Sequence, residues 1–197
     1  YLCAFCGHSF TMLPRSNQEI YSVNYFTEDH KNWFLHPNTS LFKKIGEKIK
    51  LYFGARQISL LDVGCGRGDL LRFLKTNYSN IDLYGIDLVS NEGKDITFLK
   101  GDFFIHDFNM KFEVIASIMT VEHIDRPVLF IRKIYDMLKP NGIVFITTID
   151  SNSFIYRIVR AVKKIGLRGP YERLYHHHHL QHYTNGSLKK LLEDVNF

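Results

Sequence analysis

Asp62-Val63-Gly64-Cys65-Gly66-Arg67-Gly68 sets a carboxylate and three glycines directly after the apolar run Leu60-Leu61. Glycine lets a backbone turn sharply at positive φ and lets a ligand approach closely, and N–H groups at a following helix start attract negative charge. The plain alternative is a tight strand-to-helix turn that binds nothing. A dinucleotide fingerprint would need glycine at position 69, which is Asp69. Asp87 follows about 20 residues after the glycines, where a carboxylate can accept both hydroxyl hydrogens of a ribose. A solvated strand-end acid or helix cap would look the same. Gly101-Asp102-Phe103-Phe104 combines a polar acceptor with an aromatic face able to hold adenine, or is simply a turn followed by core.

Imidazoles are the natural proton carriers near neutral pH. His123, in Val121-Glu122-His123-Ile124, and His179, which ends four consecutive histidines from His176, are the candidate bases. His178 and His182 are weaker ones. Packing roles at a helix start or loop explain His123 equally well. The histidine run suggests transition-metal binding, but adjacent side chains of an extended segment point to opposite sides. Cys3 and Cys6, followed by Gly7 and His8, have the spacing of one zinc knuckle, yet a structural zinc site needs four ligands. His8 and His30 are the residues available to complete it, and two free thiols are the more economical reading. With Cys65 alone in the glycine turn, the three cysteines make no disulfide framework and suit a reducing compartment.

The elements that must hold these residues follow from periodicity. Short β-branched runs at 58–63, 81–87, 96–99, 112–118 and 142–149 alternate with helical patterns at 67–76 and 127–138, and a helix at 40–53 precedes them. That order predicts an α/β fold: a doubly wound, mostly parallel sheet with helices on both faces. Residues 1–39 read as an irregular appendage, with Tyr21, Tyr25 and Phe26 either closing over a ligand or packing. Residues 40–197 form the ligand-binding domain. Residues 150–183 are long for a connection and read as a substrate-side lid, before a last helix at 184–194. Within the lid, Phe154, Ile155, Ile158, Val159, Val162 and Ile165 alternate at helical spacing with Arg157, Arg160, Lys163 and Lys164. Such a helix can lie on a membrane surface, meet an anionic acceptor, or pack its apolar face on the domain.

The chain has 197 residues, with 45% hydrophobic and 23% charged residues, which allows one α/β domain and a short addition. No window approaches the roughly 20 apolar residues of a spanning helix, and the first 30 residues lack a secretory pattern. A cytoplasmic location is the expectation. The net charge of +5 is spread along the chain, so no nucleic-acid partner is expected.

Taken in order, these motifs resemble a class I, Rossmann-like S-adenosylmethionine-dependent methyltransferase. DVGCGRG resembles the family's first motif, YGIDL its ribose-binding acid, GDFF its adenine-flanking segment, VIASIMTVEHIDRP its fourth strand with the helix-leading segment beyond it, and LKPNGIVFITT its fifth strand. The resemblance covers residues 58–149. It implies Asp62 and the Gly64-Cys65-Gly66 backbone near the methionine part of the cofactor, Asp87 and Leu88 at the ribose, Asp102 and Phe103 at adenine, and Ser117 to Met119 at the sulfonium. The stretch from His178 to Thr184 resembles the family's segment beside the acceptor pocket. Residues 1–26 resemble the second half of a small zinc ribbon found before this domain in a bacterial subgroup, which would need ligands upstream. The family's two strands after the last helix lie beyond Phe197, so the sheet is expected to stop short of them. The resemblance implies methylation of a small-molecule acceptor, oxygen favoured over nitrogen or carbon. A non-catalytic cofactor-binding module and an RNA or protein methyltransferase are the alternatives.

Overall fold

A computed structural model describes residues 1–11, 37–89, 91–167, 169, 171 and 179–197. Tyr21, Tyr25, Phe26, His30 and His178 lie outside the described residues. The chain divides into two compact units. Ser16–Ile118 and Asp136–Ile146 make one; Tyr1–Arg15, Met119–Tyr135 and Thr147–Phe197 make the other.

The first unit is built on a sheet. Its strands are β2 (Ile58–Val63), β3 (Ile81–Asp87), β4 (Thr97–Lys100), β5 (Phe112–Ile118) and β6 (Leu138–Thr147), in the order β4-β3-β2-β5-β6. β2 pairs in parallel with β3 and with β5, and β3 pairs in parallel with β4. All six residues of central β2 are buried, as a strand covered on both faces requires. Helix α1 (Thr39–Phe53) starts at Asn38, whose side chain accepts the Leu41 amide at 3.0 Å, and buries Phe42, Ile45 and Ile49. Helix α2 (Asp69–Asn77) buries Leu70, Leu71 and Leu74. These residues join Leu60, Leu83, Val114 and Ala116 in one apolar cluster. The doubly wound, mostly parallel architecture expected from the sequence is what forms.

Helix α3 (Pro127–Met137) runs directly into β6, four residues before the strand start read from the sequence. The turn residues Pro140, Asn141 and Gly142 lie inside the strand. Asn141 takes φ 61°, and a side chain on Gly142 would sit 3.0 Å from the Glu113 carbonyl, so the chain passes close to β5 there.

In the second unit the first residues are not irregular throughout. Strand β1 (Ser9–Phe10) pairs antiparallel with β7 (Gln181–His182), Ser9 opposite His182. Helix α4 (Phe154–Lys164) matches the basic amphipathic pattern, burying Tyr156 and Val159 and exposing Phe154, Ile155 and Ile158. Helix α5 (Asn185–Glu193) begins with a capping box in which Thr184 and Ser187 satisfy each other's amides. Among the described residues, no helix is long and apolar enough to cross a membrane.

Candidate active site

The glycine bend forms where β2 ends. Gly64, Gly66 and Gly68 take φ of 72°, 52° and 76°, values that side chains disfavour. Neighbouring residues also need the missing side chains. A Cβ on Gly68 would meet the Phe98 ring at 2.6 Å, and one on Gly85 would meet Leu71 at 2.7 Å and the Cys65 sulfur at 2.8 Å.

In the structure the bend's amides have partners within the protein. Gly64 and Cys65 both donate to the Ile86 carbonyl, at 2.9 and 3.2 Å, and Gly68 donates to the Cys65 carbonyl at 2.8 Å. The Gly66 amide donates to Asp87 Oδ2 at 2.8 Å. Asp87 Oδ1 accepts from the Val89 amide at 3.0 Å, and Asn91 donates its side-chain amide to the Gly66 carbonyl. These N–H groups lock the bend to the end of β3 instead of cradling a phosphate. Asn91 was missed in the sequence because its role depends on the bend's folded path.

What the bend offers a ligand is a pair of buried carboxyl groups, Asp62 and Asp87. Asp62 is buried, its Oδ1 has no hydrogen-bond partner among the described residues, and burial followed by the charge of Asp87 pushes its carboxyl up to about 8. Burial also raises Asp87, against the opposing pull of the Val89, Gly66 and Leu88 amides. Two buried acids that resist ionisation together become charged readily only beside a cation. A sulfonium or ammonium group beside the pair would favour its ionisation, whereas a pyrophosphate would oppose it. Burial raises the Cys65 thiol too, so it is a packing group and not a nucleophile.

Ser117, Met119, Asp102, Phe103 and Leu88 are the other residues expected at the cofactor. Ser117 is fully buried near the end of β5, its hydroxyl without a protein partner among the described residues. Met119 holds φ 55°, an uncommon backbone for this residue type, and its amide donates to the Thr147 carbonyl at 2.9 Å. Asp102 caps the turn after β4, its Oδ1 accepting the Phe104 amide at 2.8 Å. Phe103 is buried, with its ring centroid 5.9 Å from Phe108 and 6.4 Å from Phe104. Leu88 is exposed.

In the other unit, a 3₁₀ turn at Val121–His123 is tied to the segment around β7 by backbone bonds. The Leu180 amide donates to the Glu122 carbonyl at 2.8 Å, and Gln181 Nε2 donates to the Ile124 carbonyl at 3.0 Å. This brings together the two candidate bases, 56 residues apart in the chain: the rings of His123 and His179 meet edge to face at 5.0 Å. His182 stands 6.3 Å from His179, and burial, with His8 and the N-terminus, lowers its pKa. The sequence reading named His123 but not its neighbour Glu122. Glu122 is buried, with no hydrogen bond of ordinary geometry to either carboxylate oxygen among the described residues. Burial pushes its carboxyl up to about 7, its own amide and Thr148 offsetting only part of that.

Cys3 and Cys6 form a knuckle-like turn in which the Cys6 and Phe5 amides stabilise the Cys3 thiolate. Its Gly7 takes φ 70° and donates to the Cys3 carbonyl at 3.0 Å. No third ligand joins them among the described residues. His8 Nε2 is bonded to Gln181 at 2.9 Å and the ring packs on Tyr183, while its buried Nδ1 has no partner among the described residues.

Comparison with known proteins points the same way. A family model described as a methyltransferase domain matches residues 38–197. The ubiquinone biosynthesis O-methyltransferase of Rickettsia typhi is 28% identical over 162 residues, covering 75% of this chain and 65% of that protein. The malonyl-[acyl-carrier protein] O-methyltransferase of Calditerrivibrio nitroreducens is 29% identical over 143 residues, covering 68% of this chain and 56% of that protein. Both matches span less than two thirds of the relative's length. Among solved structures, a plantazolicin methyltransferase in complex with a desmethyl substrate analogue and SAH has a TM-score of 0.68 at 18% identity, covering 87% of this chain and 72% of that one. With the strand order, the locked bend and the family match all falling on the same stretch of sequence, this chain belongs to the methyltransferase domain family.

Proposed function

We propose that this chain binds S-adenosylmethionine at the glycine bend and directs its methyl group to a hydroxyl of a small-molecule acceptor in the cytoplasm. The observation that carries the reading is the buried acid pair, Asp62 and Asp87, beside a bend whose amides are turned inward. That arrangement favours a cationic adenosyl ligand over a phosphorylated one. In this reading Asp62 and the Gly64-Cys65-Gly66 backbone line the amino-acid end, Asp87 and Leu88 the ribose, Asp102 and Phe103 the adenine, and Ser117 the sulfonium end. Asp87 uses each oxygen once for a backbone amide, so each retains accepting capacity for a ribose hydroxyl.

Bound there, the cofactor supplies an electrophilic methyl carbon. The protein's part is to orient the acceptor and handle the proton of its hydroxyl, a role that suits the imidazole pair of His123 and His179. Oxygen is favoured as acceptor because both curated relatives described above are named O-methyltransferases. Isothermal titration with S-adenosylhomocysteine tests the reading: one site that disappears in Asp87→Ala is expected, and failure of the wild-type chain to bind rejects it. Formation of S-adenosylhomocysteine that depends on an added phenol or carboxylic acid would establish turnover.

A further inference from the structure

Glu122, His123 and His179 each present one ligand atom, and these three atoms lie within 4.8 Å of one another. Ligand atoms around a tetrahedral ion with bonds of about 2.0–2.1 Å stand roughly 3.4 Å apart, so side-chain rotation of about an ångström closes the set. Three further features favour an ion there over a chance grouping. Glu122 is 2% exposed and neither of its carboxylate oxygens has a hydrogen bond of ordinary geometry among the described residues, an arrangement that is costly for a buried acid without a cation beside it. The buried Tyr183 hydroxyl is likewise without a partner, and Glu122 lies near enough to raise its pKa further after burial itself. The backbone around the group is fixed on both sides, by Leu180 to Glu122 and by Gln181 to Ile124, with Gln181 held in turn by His8.

We infer that Glu122, His123 and His179 form a binding site for one divalent transition-metal ion of the zinc type. Two imidazoles and one carboxylate match the donors of open zinc sites, which keep a fourth position for water or a substrate oxygen. Magnesium, which prefers an all-oxygen octahedral shell, does not match two nitrogen donors. The site deepens the functional reading and rests on it in one respect: the imidazoles assigned to the acceptor's proton would act through a bound ion, which lowers the pKa of an oxygen placed at its open position. Metal binding itself does not depend on that reading.

The experiment is titration of the metal-stripped chain with Zn²⁺, followed by calorimetry, and with Co²⁺, whose visible absorption reports nitrogen and oxygen ligation. One ion per chain is expected. Glu122→Gln and His179→Ala should each weaken binding by at least about tenfold, since even partners outside the ligand set cost 10–100-fold. Cys3→Ser with Cys6→Ser, and His176→Ala with His177→Ala and His178→Ala, should leave it unchanged. Absence of binding, or binding lost with the cysteines or the histidine run while Glu122→Gln and His179→Ala have no effect, overturns the inference. S-adenosylhomocysteine affinity, measured on the same variants, separates the two ideas: its loss in the wild-type chain refutes the cofactor reading and leaves the metal result standing. Should Glu122→Gln fail to fold, the half-buried His179 variant decides the matter.

Discussion

Asp62 holds its proton up to about pH 8, because burial and then Asp87 disfavour its anion, whereas an ordinary aspartate releases it near 3.8. Between those values the folded chain binds a proton that the unfolded chain has lost, so stability is fully present below about pH 4 and declines as pH rises toward 8. The melting temperature is expected to fall between pH 5 and 8.5, with a shallower fall in Asp62→Asn; equal slopes in both proteins would refute this assignment. A cationic ligand favours the Asp62 anion, so binding at pH 7 should release protons, seen as a dependence of the calorimetric heat on the buffer's ionisation enthalpy. Ser117 makes a different prediction. Its buried hydroxyl has no partner to lose, so Ser117→Ala should not destabilise the unliganded chain, and should raise its stability by up to about 1 kcal/mol, while weakening S-adenosylhomocysteine binding. Asp62, Gly64, Gly66 and Asp87 were legible in the sequence because their spacing is local and the strand-turn-helix context is short. Glu122 was not, because what makes it notable is burial produced by a segment almost 60 residues further on.

Strands β2, β5 and β6 are pinned by one carboxylate. Glu113 accepts from the Ser59 amide at 2.9 Å, from its hydroxyl at 2.8 Å, and from Lys139 at 2.9 Å. Burial alone would raise its pKa, but Lys139 and Ser59 outweigh that and bring it to about 2. The sign is opposite to that of Asp62: this stability is present above about pH 4.5 and lost as pH falls toward 2. Glu113→Gln should cost about 1–2 kcal/mol at pH 7, the scale of a charge-assisted hydrogen bond, and little near pH 2, as measured by urea denaturation. At the next bend, Gly68→Ala meets both a left-handed backbone, worth roughly 1–2 kcal/mol, and the Phe98 ring. A loss of at least that size is expected, and an unchanged urea midpoint would show that Phe98 moves aside freely. Four strands and four helices were readable to within two residues because alternation and helical spacing are strong where core is buried. The start of β6 was misread because Pro140, Asn141 and Gly142 signal a turn, and only the approach to Glu113 explains why they sit in a strand. β1 and β7, two residues each, carry no periodic signal at all.

For the molecule as a whole, a ligand that binds only the folded chain stabilises it by about 2.7 kcal/mol at 100 times its dissociation constant. For a chain of this size that corresponds to roughly 5–10 °C in melting temperature. S-adenosylmethionine should give this shift in thermal denaturation, ATP should not, and an equal shift with ATP would contradict the charge argument made for the glycine bend. The pairing of β1 with β7 has a consequence for biosynthesis. His8 and Gln181 are 173 residues apart, so the opening residues emerge from the ribosome long before their partners exist. At about 5–20 residues per second they wait on the order of 10–35 s, an interval in which all of β2 to β6 is synthesised. During that interval Cys3 and Cys6 travel without the β-ladder that later anchors their turn, so a chain released before Gln181 and His182 are made would carry both thiols on an untethered segment.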